Sequence, residues 1–109
     1  PYAFPLGIAV EAMSQCQSTV PDDLRGEYAD LNAKLDDLRA RLMTQDQGDV
    51  SVLFADMMKI CWQAVQFAFL LVAGRGALLS SSLQRLYREL YIWFVPRVSS
   101  ETLKAWVAD

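Results

Sequence analysis

VSVLFADMMKICWQAVQFAFLLVA, residues 50–73, constrains this chain more than any other stretch. Apolar side chains recur at every helical offset, so the segment reads as one long helix with almost no polar face. Asp56, Lys59, Gln63 and Gln66 fall at spacings of 3, 4 and 3 and form one narrow polar stripe. A cylinder this apolar must cross a membrane or be covered on most sides by protein. The uncharged run 60–74 has 15 residues, short of the roughly 20 a bilayer core requires, and two glutamines interrupt it. The expectation is a buried central helix with no membrane partner; a membrane-associated helical protein is the weaker alternative. Covering such a helix with only 109 residues calls for help from further copies, so a homodimer or homotetramer is expected.

The rest of the chain supplies the cover. Residues 22–44 carry Leu24, Tyr28, Leu31, Leu35, Leu38 and Leu42 at spacings of 4, 3, 4, 3 and 4, the a/d seam of a helix that packs on a neighbour. Leu31, Leu35 and Leu38, in mid-seam, are expected to hold the bundle or an interface. The opposite face is charged, with Asp30–Lys34 and Asp37–Arg41 as i,i+4 pairs. It reads as a solvated face: Asp36 and Asp37 are adjacent, point about 100° apart and form no facing dyad.

A first helix over 6–18, entered through Pro5, has Val10, Met13 and Cys16 among its apolar positions. Pro21 breaks it, and Asp22 or Asp23 places acid at the next helix N-terminus. TQDQGD, 44–49, is a turn. Ser80–Ser82 offer hydroxyl caps to a fourth helix with Leu83, Leu86, Tyr87, Leu90 and Phe94 inward, and Pro96 ends it. Ser99 or Ser100 caps a short last helix carrying Leu103, Trp106 and Val107. No stretch alternates with period two over strand length. The predicted fold is all-α: an antiparallel, up-down-up-down four-helix bundle with a short C-terminal helix, one domain over residues 1–109.

Composition removes several function classes. The net charge is −3 with basic residues scattered among acids, so no nucleic-acid partner is expected. The chain has no histidine, which excludes imidazole acid–base catalysis and histidine metal sites, and no metal is expected. Cys16 and Cys61 lie in apolar helical settings without a CxxC partner; they read as buried free thiols, with a disulfide or a reactive thiol as the other options. PYAFPLGIAV lacks the basic start of a signal peptide, and a cytoplasmic location is expected. Beginning at Pro1, the chain reads as part of a longer protein.

One stretch points to a ligand. In VAGRGALLSSSLQRLYREL, 72–90, Gly74 reads as the residue just past a helix C-terminus. Arg75 stands between two glycines, where backbone approaches an anion closely and a guanidinium grips phosphate in two places. The N–H groups opening the next helix add to the attraction. The GxG follows a helix rather than a strand and no GK[ST] follows, so neither a dinucleotide fold nor a P-loop is implied.

A long apolar helix, a glycine turn, about ten residues and then LQRLYREL resembles the C-terminal helical domain of the acyl-CoA dehydrogenase superfamily. Ala73-Gly74 stand for its GG turn, and Gln84-Arg85 and Arg88-Glu89 for its (E/Q)R-x-x-RD helix. AGRG with Arg85 ten residues beyond Arg75 is similar to the flavin-dependent monooxygenase branch. PLGIAVEAM resembles the first helix of that domain, and FADMMKICWQAV, with Lys59, the helix before the turn.

The resemblance implies a bundle assembling as a dimer of dimers. It places Gly74, Arg75 and Gly76 on the phosphate of a flavin, FAD or FMN, held mainly by other parts of a longer parent. Arg85 and Arg88 would pair with acids to hold bundle and interface, or meet the ligand directly. The parent would be a dehydrogenase or monooxygenase acting on an acyl-CoA or aromatic substrate. Where the monooxygenase branch usually has a histidine this chain has Pro96, and Glu101 in FVPRVSSE reads as a capping residue, not a catalytic base. No catalytic residue, and no tight flavin binding, is expected of these 109 residues alone. The alternative is a stand-alone helical assembly module that uses the leucine seam and the third helix as its interface.

Overall fold

The computed structural model describes residues 3–44, 50–74 and 81–108. They form five α-helices: α1 (Ala3–Cys16), α2 (Arg25–Met43), α3 (Val50–Gly74), α4 (Ser81–Phe94) and α5 (Ser100–Val107). No strand occurs among the described residues. The all-α prediction holds, and each expected helix is present.

α3 is the central element, with α1, α2, α4 and α5 all packed against it. Its Leu53, Met57, Cys61, Ala64, Val65 and Ala68 are closed to solvent. α1 makes the most extensive contact with α3. Ala9 and Ala12 in α1, like Ala64 and Ala68 in α3, are fully buried, and such small side chains let helix axes approach closely. α1 begins three residues earlier than expected, with Pro5 in its first turn, where its missing N–H has no intrahelical partner to lose. Val10 points outward, while Ile8, Met13 and Cys16 fill the core.

The α2 seam packs as its spacing predicts. Leu35 and Leu38 are buried, and Leu24, Tyr28, Leu31 and Leu42 pack against the core from its edge. Asp22–Leu24 form a 3-10 turn, so the α-helix proper starts three residues late. Tyr28 Oη–H donates to the Met13 carbonyl at 3.0 Å and ties α2 to α1. Arg41 meets Asp56 of α3 at 3.1 Å, and Tyr28 meets Phe67 with ring centroids 6.4 Å apart. Position thus falls along α2 as it rises along α3.

α4 adds an aromatic seam. Phe54 packs edge-on to Phe94 at 5.5 Å, Trp62 meets Tyr91 at 5.6 Å, and Phe69 meets Tyr87 at 5.4 Å. Leu83, Leu86, Leu90 and Phe94 are buried, as predicted. Pro96 converts the end of α4 into a 3-10 turn, Val95–Arg97. Ser99 caps α5, its Oγ accepting from Thr102 N–H at 3.1 Å. The residues of α5 divide between core and solvent. Thr102 is buried and Trp106 packs on the core, while Leu103 and Val107 face solvent. The Ser99–Thr102 hydroxyl pair, 3.1 Å apart, satisfies the buried threonine.

Candidate functional site

The polar stripe of α3 has an open environment. Covering of α3 on most sides does not extend to this face, where Val52, Gln63 and Gln66 are exposed, as is Leu70. α2 rises along one side of it and α5 along the other, leaving a groove floored by α3. Between α3 and α5 lies a recess of about 750 Å³ lined by Met58, Lys59, Trp62, Gln63, Gln66, Leu103 and Trp106. It continues past Lys34, Asp56, Ile60 and Ala105 at one end. At the other it runs between Glu27, Asp30 and Leu31 of α2 and Phe67 and Leu70 of α3. Gln63 lines all three sections.

Two contacts organise the floor. Asp56 is spanned by Arg41, a bridge from α2 that replaces the predicted Asp37–Arg41 attraction with a link between helices. Lys59 Nζ lies 5.5 Å from the Trp106 ring centroid, a cation–π contact that fixes α5 over the stripe. The groove therefore presents aromatic faces, aliphatic rims and two carboxamides. It holds no histidine, and no group of three metal-binding side chains occurs among the described residues. Its ionisable side chains are Glu27, Asp30, Lys34, Asp56 and Lys59.

The two thiols are held toward their protonated form. Cys16 and Cys61 are free and buried. Burial pushes the Cys61 thiol up to about 12. Cys16 is raised by burial as well, with a smaller opposing effect from its backbone hydrogen bond; its S–H donates to the Met13 carbonyl at 3.4 Å. A thiolate does not form at neutral pH in such settings.

The predicted site residues fall in different places. Gly74 is the last helical residue of α3 rather than the one beyond it. Arg75 and Gly76, and with them the proposed grip on phosphate, lie outside the described residues. Ser80 does too; Ser82 Oγ accepts from Gln15 Nε2–H at 2.7 Å and joins the start of α4 to the end of α1. Arg85 pairs with Glu89 on its own helix at 3.6 Å. Arg88 is exposed and has no ion-pair partner among the described residues. Leu35 and Leu38 belong to the chain's own core, so they are not an external interface; Leu31 lies at the groove's edge.

The groove itself was half visible in the sequence. The 3-4-3 spacing of Asp56, Lys59, Gln63 and Gln66 marks its floor, but nothing in α5 marks Trp106 as its wall. Comparison with known protein families, with curated proteins and with solved structures finds no match.

Proposed function

We propose that this chain is the C-terminal, assembly-forming domain of a flavin-dependent oxidoreductase resembling the acyl-CoA dehydrogenases. The observation that carries this reading is the junction of α3 and α4. α3 ends at Gly74 and α4 begins at Ser81, so the Arg75-bearing connection is bracketed by helices, as a phosphate-binding turn between helices requires. The first four helices are read as an antiparallel, up-down-up-down bundle, supported by Arg41 against Asp56, Phe54 against Phe94 and Gln15 against Ser82. In this reading Arg75, with Gly74 and Gly76, contacts the phosphate of FAD or FMN, and exposed Arg85 and Arg88 meet another domain or subunit. The flavin supplies the redox chemistry, dehydrogenation or monooxygenation of an acyl-CoA or aromatic substrate in the cytoplasm. The chain positions it and joins copies into a homodimer or homotetramer.

The test is flavin retention in the whole protein that carries this segment. Arg75→Ala removes a charge-assisted phosphate contact and should weaken flavin affinity about tenfold or more. Unchanged affinity removes the phosphate contact, and a whole protein purified without flavin removes the oxidoreductase reading.

A second reading, a helical assembly module without catalysis, is favoured by the open groove, whose aliphatic rims at Val52, Leu70 and Leu103 are exposed. It expects self-association with no flavin at all.

A further inference from the structure

We infer that α5 is a strap that lifts from α3 as one unit while α1–α4 stay folded, so that exposure of the outer side of α3 is a switchable state of this fold. This goes beyond the readings above and needs neither flavin nor self-association.

The seat of α5 lies on the side of α3 turned away from the core. Lys59, which meets the Trp106 ring, stands about 200° around the helix from Met57 and from Cys61. Those two side chains are closed to solvent, and Ala64 and Ala68 continue their stripe. Lifting α5 uncovers Met58, Lys59 and Trp62 along the recess and leaves the opposite, fully buried stripe covered. Lys59 and its neighbour on the stripe, Gln63, are side chains that water solvates readily.

α5 is also built to come away whole. It packs closely on α3, yet no hydrogen bond or ion pair joins residues 100–108 to another helix among the described residues. Its polar needs are met from within: the Thr102 hydroxyl and N–H both find Ser99 Oγ, and Leu103 N–H donates to the Ser99 carbonyl at 3.0 Å. Separation therefore breaks apolar contact and one cation–π contact, and orphans no buried polar group. Clefts lie along both flanks. Leu103 borders one with Met58 and Trp62, and Ala105 and Ala108 border the other with Val52 and Ile60.

The joint is equally distinct. Arg97 fastens the near side, its Nη1–H donating to the Trp93 carbonyl at 2.7 Å and its guanidinium 4.3 Å from the Trp93 ring centroid. Val98 and Ser99 follow in extended conformation. With the base held to α4, rotation falls on these two residues, as in hinges that absorb a large backbone change at element ends.

The experiment is native-state hydrogen exchange, read by mass spectrometry on the 109-residue chain at low urea. Amides of 103–107 should exchange about tenfold or more faster than those of 57–68, with a shallower urea dependence, the mark of a sub-global opening. Trp106→Ala should speed exchange at 103–107 about tenfold further and leave 57–68 unchanged. Lys104→Pro, at an exposed position, breaks the α5 helix without meeting α3 and should abolish protection at 103–107 alone. Exchange of 103–107 in step with 57–68 in the original chain overturns the strap, because α5 then opens only with the whole fold. Loss of protection at 57–68 in either variant overturns it too, as does a W106A chain whose α5 exchanges no faster.

Discussion

Cys61 shows how far a single residue's surroundings set its chemistry. Its thiol has no solvent-exposed surface, and its pKa rises from 9.0 to about 12 because burial penalises the thiolate. The folded state therefore holds its proton where the unfolded chain releases it. The stability linked to this group is fully present below about pH 9 and declines as pH rises toward 12, by about 1.4 kcal/mol per pH unit inside that window. Urea midpoints measured from pH 8 upward should fall, and Cys61→Ala should flatten the fall even though it lowers the starting stability. A profile identical in the variant would show that the thiol ionises freely. Leu38, fully buried on α2, belongs to the same scale. Leu38→Ala should cost about 2–5 kcal/mol, the transfer term plus the cavity, read from the urea midpoint at constant m-value.

Among the elements, legibility in the sequence followed length and regularity. α2 repeats its 4-3 spacing over six positions, so Leu35 and Leu38 were identifiable as core. What the spacing did not reveal was whose core: a leucine seam looks the same whether it meets its own chain or another copy, and here it meets its own. α3 was legible as central, yet its stripe looked like a polar fringe because the neighbours that wall it, α2 and α5, are distant in sequence. α5 was legible as a helix but not as a face. Leu103, Trp106 and Val107 have the spacing of a buried stripe, but the Ser99 cap turns Thr102 inward and carries Leu103 and Val107 out. With one cap holding an eight-residue helix, Ser99→Ala should destabilise by about 1 kcal/mol. Hydrogen exchange is expected to localise the loss to α5; a uniform loss over the chain would contradict that assignment. The Arg41–Asp56 bridge, about a third exposed on both sides, should contribute under ~1 kcal/mol in a double-mutant cycle, acting as a marker of α2–α3 register more than as a source of stability.

At the scale of the molecule, the design is one apolar helix wrapped incompletely by four others. α1, α2, α4 and α5 each cover part of α3, and α5 reaches over the stripe with Trp106 and the buried Thr102 turned toward the core. The Arg75 stretch and the groove centred on Gln63 are separate readings. One is a candidate ligand contact read from the sequence, the other a candidate protein contact read from packing. The two need not succeed or fail together.

The tryptophans give this architecture an internal optical readout. Trp62 sits among the α4 aromatics, Trp93 lies beneath Arg97 at 4.3 Å, and Trp106 lies beneath Lys59 at the α5 junction. Trp62 and Trp93 both lie on the α3–α4 seam and Trp106 on the α3–α5 seam, so their emission should not change in concert. Release of α5 would wet Trp106 and the recess face of Trp62 while Trp93, packed on Phe54 and Phe94, keeps its contacts, so a red-shifted minor component preceding the main transition would mark the wrapping coming undone from its C-terminal end.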